Sequence, residues 1–254
     1  MTKAAEKTAA DTHSRRRPLG SGRALAEKMI NGHGGLARWE QAESVEFNLR
    51  GGGLLLAAKR QRGKMNDVAF SVPTTGQKTV LTPYPAPGKR GIFDSGRVRI
   101  ETDDGRVVVE REDPRPLFRR MSRQLRWDDL DLLYFSGYAI WNYISVPFVL
   151  LRDGYKLKQG KENVLEVTFP DSIHTHCKTQ RFVLDEKGLL QHHLYTAEPV
   201  GRWARSVHVA SGHREFDGLV FPTKRRVYPR GLFGVRVPFP VLVSIDASEF
   251  KLRR

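Results

Sequence analysis

Residues 132–151 read LLYFSGYAIWNYISVPFVLL, which is twenty positions in a row without a charged side chain. A transmembrane helix has this length. Here, however, aromatic and polar side chains occupy the middle of the run, whereas the aromatic residues of membrane helices concentrate at the two interfaces. A helix that is apolar on every side can also be buried inside a large protein. We therefore predict a buried helix from about Trp127 to Val146, with a membrane-touching segment as the alternative.

The two ends of this helix have recognisable signals. Asp128, Asp129 and Asp131 lie in its first turns, where the positive end of the helix dipole stabilises carboxylates. Pro147 disfavours helical geometry at the residue before it, so the regular helix is expected to end at Val146.

The segments on both sides of the helix are typical of strands. Residues 45–49 alternate between apolar and polar side chains, as a half-buried strand does. The Asp-Gly pair at 104–105, between the β-rich runs 97–102 and 106–111, is a hairpin signal because both turn positions tolerate a positive φ. Further strands are predicted at 54–59, 67–72, 77–82, 164–169, 180–184, 189–197, 203–210, 224–228 and 241–245.

The order of these elements predicts an α+β fold. An N-terminal helix at 21–31 is followed by strands, the long helix and more strands, and segregated runs of this kind indicate an antiparallel sheet. A helix without a polar face must be covered. We therefore predict a strongly curved antiparallel sheet of about ten strands, a half-barrel, wrapped around a central apolar helix, with an apolar cavity between the two. Residues 1–23 are expected to be a flexible basic tail, and residues 24–254 a single half-barrel domain.

Composition limits the partners and the compartment. The chain has 254 residues, a formal net charge of +15 and one cysteine, Cys177, which excludes an internal disulfide framework. Its cationic clusters, such as 224–226, are short and are interpreted as solvated surface, and no recognition motif accompanies them. We expect no specific nucleic-acid binding, and at most transient contact with an anionic membrane surface. The arginines at 15–17 are not followed by an apolar stretch, so we expect no export and a cytoplasmic location.

Two stretches carry a resemblance to known families. The segment EVTFP at 166–170 followed by RFVLDEKGLL at 181–190, together with the N-terminal helix leading to Trp39, resembles the LolA-like half-barrel superfamily of lipoprotein carriers. That resemblance implies an incomplete antiparallel barrel that closes over a helix and binds lipid acyl chains. The stretch GLVFPTKRRVY at 218–228 also resembles a bacterial cytosolic family without an assigned chemistry.

The first functional hypothesis is the binding of a hydrophobic or amphipathic small molecule, such as a lipid, between the curved sheet and the helix. The aromatic residues at 134, 138 and 141 share one helix face, since they are spaced i, i+4, i+7. The ligand-binding residues that we predict come from the helix, from the residues just beyond it and from the sheet. They are Tyr134, Tyr138, Trp141, Phe148, Phe47, Phe169 and Phe182.

The second hypothesis is an enzyme that uses the same cavity. Six of the eight histidines lie between 174 and 213, and antiparallel strands can bring several of them together. His176, His193 or His208 would then act as the base or as a metal ligand, and Tyr138 as the proton donor of an acid–base isomerase or cyclase. No metal site is assigned, and no motif indicates a particular cofactor. A basic surface-binding module without a cavity is the third alternative.

Overall fold

The computed structural model describes residues 21–231 and 236–254. Within these residues, thirteen strands form one antiparallel sheet. The strands are β1 (Ser44–Gly52), β2 (Val68–Pro73), β3 (Lys78–Thr82), β4 (Lys89–Asp94), β5 (Arg97–Thr102), β6 (Val107–Arg111), β7 (Lys156–Gln159), β8 (Val164–Thr168), β9 (Thr179–Leu184), β10 (Leu190–Thr196), β11 (Arg205–Phe216), β12 (Leu219–Pro229) and β13 (Val243–Arg253). The helices are α1 (Ser21–Gly32), α2 (Leu36–Glu40), α3 (Leu54–Ala58), α4 (Met121–Leu125) and α5 (Asp129–Ser145), with a 3₁₀ turn at Arg115–Arg119.

The strand order explains where the long helix must lie. Neighbouring strands follow the order β6-β5-β4-β3-β2-β1-β13-β12-β11-β10-β9-β8-β7. The first and last strands of the chain therefore pair in the middle of the sheet, and β6 and β7 form its two ends. The segment that contains α5 connects these two ends, so it has to cross a face of the sheet.

Both halves of the sheet hold α5. From β3, the Thr79 hydroxyl donates a hydrogen bond to the carbonyl of Gly137, at 3.0 Å. From β12, the Arg225 guanidinium donates to the carbonyl of Tyr143, at 2.8 Å. Strands from opposite halves can reach one helix only when the sheet curves around it. The predicted curved half-barrel around a central helix is thus confirmed.

The ends and the burial of α5 match the sequence signals. Asp128 is the N-cap, and Asp128 and Asp131 form a reciprocal capping box. Arg111 and Arg123 both pair with these two carboxylates. Every residue from Leu130 to Ser145 is buried, as predicted for a helix without a polar face.

Gly137 allows α5 to approach the sheet. A methyl group at this position would overlap with Cβ of Phe93 on β4. We expect Gly137→Ala to lower the free energy of unfolding by about 1–3 kcal/mol in urea titrations, through overpacking. In an exposed helix the same change would raise stability by about 1 kcal/mol. The sign of the change in the free energy of unfolding therefore shows whether position 137 is packed against the sheet. The control is Gly52→Ala, whose new methyl would meet only the Ser244 hydroxyl, at 3.3 Å. Equal stability of the two variants would contradict this account.

The sequence interpretation is wrong at three segments. Residues 54–59, predicted as a strand, contain α3, because Leu and Ala are strong helix formers and Gly53 turns the chain with a φ of +114°. Strands β4 and β7 were not predicted, so the sheet has more strands than the expected ten. The sequence of β4, KRGIFD, lacks the alternation that identifies a half-buried strand, and β7 has only four residues.

Two predictions concern the chain end and the membrane. Of the predicted basic tail, residues 1–20 lie outside the described residues, and residues 21–23 belong to the first turn of α1. None of the helices in the described part of the chain combines the length and the apolar character that crossing a bilayer requires.

Candidate functional site

A small apolar cavity lies between α5 and the middle of the sheet. Its volume is about 50 Å³, and its walls come from α5, β1, β13 and the segment after α3. The residues that form the apolar walls include Leu132, Phe135, Ala139, Leu49, Met65 and Ile245. Two hydroxyl-bearing aromatic residues, Tyr143 of α5 and Tyr195 of β10, also line it. Ser136 of α5 lines it too, with its hydroxyl donating to the carbonyl of Leu132, so the wall is almost entirely apolar.

An open groove lies on the outer side of the same wall. It has a volume of about 690 Å³ and runs over α3 and the segment at 239–241. Gly51 and Leu56 line both the cavity and the groove. At the groove, Leu54 and Phe239 are 50% and 78% exposed. Two shared residues thus separate the buried cavity from a large, partly apolar opening.

Behind the cavity lies a buried cluster of tyrosine and histidine side chains. The Tyr138 hydroxyl is 3.0 Å from Nδ1 of His176, and the Tyr143 hydroxyl is 2.8 Å from Nε2 of the same ring. The Tyr143 and Tyr195 hydroxyl oxygens are 3.3 Å apart. The Tyr195 ring also stacks on His176, with centroids 4.1 Å apart. One continuous chain of contacts therefore joins Tyr138 to the tyrosines of the cavity wall.

Three contacts join the three hydroxyl groups and the imidazole of this chain, which together carry four hydrogens. A neutral imidazole has one N–H donor and one acceptor nitrogen. If Nε2 of His176 carries the hydrogen, Tyr138 donates to Nδ1 and Tyr143 accepts from Nε2. One hydrogen of the Tyr143–Tyr195 pair is then left over, because either hydroxyl can donate to the other. If Nδ1 carries it, the hydrogen of Tyr138 is left over instead. In the first case, the spare hydroxyl donor belongs to one of the two tyrosines that line the cavity.

His193 and His208 extend the cluster along β10 and β11. They face each other in register on neighbouring strands, with ring centroids 5.8 Å apart. Nε2 of His193 lies 2.5 Å from the side-chain oxygen of Gln180, so this nitrogen carries the hydrogen. Nδ1 of His208 has no hydrogen-bond partner among the described residues. The three histidines and Tyr138 that the sequence singled out are thus brought together.

The cluster is uncharged at neutral pH. Burial lowers the pKa of His176 to about 3 and brings the pKa values of His193 and His208 well below the ordinary value. Burial likewise raises the pKa of Tyr143 to about 12 and raises that of Tyr195 well above its ordinary value. The cluster therefore offers uncharged hydrogen-bond donors and acceptors at neutral pH.

One positive charge lies at the edge of this neutral cluster. Arg225 of β12 is 5% exposed, and burial lowers its pKa to about 10, so it stays protonated at neutral pH. Its guanidinium carbon is 4.9 Å from the centre of the Tyr143 ring. The cationic cluster 224–226 was interpreted as solvated surface, and this is wrong for Arg225. The inward face of β12 also carries Phe221 and Val227, and position 225 has the same parity.

The seven residues predicted to bind a ligand are all buried, and none of these described side chains lines the cavity. Trp141 donates a hydrogen bond from Nε1 to the carbonyl of Gly76, at 2.8 Å, and Phe148 stacks on Trp39 at 4.5 Å. Both contacts belong to the packing of the helix and the segment that follows it.

The other predicted ligand residues lie around the sheet and the cluster. Phe182 stacks on His193 at 4.4 Å, and Phe47 stacks on Phe250 at 4.8 Å. The remaining contacts are Phe169 with Tyr155 at 5.4 Å, Tyr134 with His174 at 2.9 Å and Tyr138 with His176 at 3.0 Å. The role of these seven residues in ligand binding stays a prediction. The residues that line the cavity, Ala139 and Tyr195 among them, were not predicted.

Within the described ranges, no three His, Cys, Asp or Glu side chains are grouped so that they could hold a metal ion. The histidines of the cluster instead contact tyrosines, Gln180 and Arg225.

Comparison with known proteins gives structural matches only. No family model and no curated protein matches the sequence. Among solved structures, a LolA superfamily protein from Nitrosomonas europaea matches 92% of this chain and 94% of its own, with a TM-score of 0.47 and 13% identity. A DUF1329 family protein from Desulfovibrio piger ATCC 29098 matches 91% of this chain and 92% of its own, with a TM-score of 0.51 and 15% identity. The likeness to the Desulfovibrio protein shows a shared fold, and the curved antiparallel half-barrel expected from the sequence is the fold of this chain.

Proposed function

We propose that this chain binds a hydrophobic or amphipathic small molecule between α5 and the curved sheet, in the cytosol. The observation that carries the proposal is the apolar cavity against α5, which shares two wall residues with an open groove and has two buried, hydrogen-bonded tyrosines in its wall. Sites for small molecules combine mostly apolar walls with a few polar groups that fix orientation. The resemblance to the LolA-like superfamily implies the same class of ligand.

The cavity has to widen for such a ligand. A volume of about 50 Å³ is well below the roughly 300–1,000 Å³ of drug-sized sites, whereas the groove of about 690 Å³ lies within that range. Met65, which is flexible and unbranched, forms part of the wall, and Leu56 is shared by both spaces. We propose that movement of these two side chains joins groove and cavity, so that the ligand lies along both.

The proposal predicts the effect of filling the cavity. Ala139→Leu places three further carbon atoms in the cavity, so we expect the affinity for the neutral fluorescent probe N-phenylnaphthylamine to fall at least about tenfold. The melting temperature should change by only a few degrees, because the added atoms occupy existing space. The control is Ala24→Leu, the same substitution at an exposed position of α1. Unchanged probe affinity in the folded Ala139→Leu variant would contradict the proposed site.

The groove also suggests how the ligand is exchanged. The apolar Leu54 and Phe239 are exposed beside Arg62, and the chain carries a net charge of +15. Apolar side chains next to a cation suit an anionic lipid surface. We propose transient contact of this face with anionic membranes. Sedimentation with phosphatidylserine vesicles should retain the protein at low salt and release it at high salt, whereas Phe239→Ser should weaken retention.

One observation favours an enzyme as the second candidate. Both ring nitrogens of His176 contact tyrosine hydroxyls, and Tyr143 extends this contact to the cavity wall. A neutral imidazole between two hydroxyls can pass a proton between them. In this candidate His176, His193 or His208 is the base and Tyr138 the proton donor. Mass spectrometry of a ligand extracted after incubation separates the candidates: a binder returns it unchanged, and an enzyme returns an isomer or product that is absent with His176→Gln.

A further inference from the structure

Arg225 is a buried cation without a buried anion. Among the described residues, no carboxylate lies within 4.0 Å of its guanidinium group. The next residue, Arg226, is less buried and yet binds both oxygens of Asp246, at 2.7 and 3.0 Å. Taking an ion out of water costs several kcal/mol unless a counter-charge compensates it. The carbonyl of Tyr143, the Tyr143 ring and Nε2 of the neutral His208, at 3.5 Å, give Arg225 partial charges and a π face, not a full negative charge.

The position of Arg225 places this charge directly behind the cavity wall. Arg225 is the register partner of Ile245 on β13, so both side chains lie on the same face of the sheet. Ile245 lines the cavity. Tyr143, whose ring lies against the guanidinium, lines it as well. The charge of Arg225 thus lies next to two residues that line the cavity, Ile245 and Tyr143.

Hydrogen-bond donors gather at the same place. The Tyr138–His176–Tyr143–Tyr195 chain has one hydrogen more than it has contacts, and the tautomer with the hydrogen on Nε2 of His176 leaves the extra one on Tyr143 or Tyr195. Tyr143 and Tyr195 line the cavity and Tyr143 contacts Arg225, so these hydroxyl donors and the charge lie in one cluster beside the cavity. This combination complements a group with one negative charge and several acceptor oxygens.

We propose that the ligand is a single-chain amphiphile with a carboxylate head, such as a fatty acid, and that Arg225 with the hydroxyls of Tyr143 and Tyr195 binds this head. The inference rests on the proposed function. A single buried positive charge balances one negative charge, and a planar carboxylate matches the fork of a guanidinium. A phosphodiester has substituents on two sides and suits a cavity of about 50 Å³ less well. The apolar chain then extends past Ala139 and Leu56 into the groove.

The test compares ligands that differ only in charge. Isothermal titration calorimetry on the wild-type chain uses dodecanoate and methyl dodecanoate, below their aggregation concentrations and at pH 8. We expect dodecanoate to bind about ten- to a hundredfold more tightly, as hydrogen bonds to a charged group allow. In Arg225→Met the preference should fall to less than about threefold. Arg226→Met, which removes the neighbouring paired cation, should keep it.

The outcomes separate the two proposals. Equal binding of the two ligands by the wild-type chain overturns the carboxylate site and supports the proposed function. Binding of neither overturns both. A full preference retained by Arg225→Met also overturns the carboxylate site. If circular dichroism shows that Arg225→Met does not fold, the wild-type comparison and Tyr195→Phe, which should lower the preference severalfold, decide the question.

Discussion

Trp141→Ala is expected to lower the free energy of unfolding by about 3–5 kcal/mol. The Trp141 side chain lies in the middle of α5, is 1% exposed and donates a hydrogen bond to the carbonyl of Gly76, at 2.8 Å. The substitution removes the apolar contacts of an indole ring, leaves a cavity against the sheet and removes the hydrogen bond that the carbonyl of Gly76 accepts. Urea unfolding followed by circular dichroism measures the loss without relying on tryptophan fluorescence.

The chain offers a matched control for this experiment. Trp203 is 77% exposed, so Trp203→Ala should change the free energy of unfolding by less than about 0.5 kcal/mol. A loss below about 1 kcal/mol for Trp141→Ala, or equal losses for the two variants, would show that α5 is not the centre of the packed core.

Acidification from pH 7 to pH 5 is expected to lower the free energy of unfolding by about 4 kcal/mol through two histidines alone. Burial lowers the pKa of His33 to about 4 and that of His176 to about 3, from 6.5. Between pH 6.5 and these values the unfolded chain binds protons that the folded chain does not. Stability is therefore fully present above pH 6.5 and is lost as the pH falls, by about 2 kcal/mol for each group at pH 5. His193 and His208 act in the same direction.

One of the two polar contacts of His33 favours the neutral ring as burial does, whereas the hydrogen bond to the carbonyl of Val220 raises the pKa. Nδ1 of His33 lies 2.7 Å from the carbonyl of Val220, and Nε2 accepts from the backbone N–H of Leu190, at 3.2 Å. A proton on Nε2 would point at the N–H group of Leu190, so this contact requires the neutral ring.

Urea midpoints at several pH values measure the slope of stability against pH, and removing one buried histidine should reduce it. We expect His176→Gln to be less stable than wild type at pH 7 and less sensitive to acid. A stability that stays flat from pH 7 to pH 5 would contradict the neutral, buried state of these histidines.

Local patterns in the sequence were enough to predict most of the fold. The uncharged run at 132–151 predicts α5, its burial and the curved sheet around it, because a helix without a polar face has few ways to be covered. The hairpin of β5 and β6 follows from its Asp-Gly turn. The segment 54–59 was misinterpreted because a short apolar run fits a strand and a helix equally well.

The candidate site was harder to predict, because it depends on the pairing of distant strands. The histidines were found by their clustering in the sequence, and the structure brings three of them together. Tyr195 shares the parity of His193 on β10, and a face-by-face reading of that strand would have found it. The position of Ala139 on the cavity depends on which strands pass beside α5, and no local pattern contains that information.

The central claim is that an amphiphile binds between α5 and the sheet, and a crystal structure with a bromine-labelled ligand tests it most directly. Bromododecanoate, labelled at the end of its chain, marks its position by anomalous scattering. We predict a bromine peak in the groove beside Leu54 and Phe239, with ligand density that continues past Leu56 to Ala139 and Tyr143. Bromine peaks only elsewhere on the molecule, under conditions in which calorimetry shows saturation, would contradict the account.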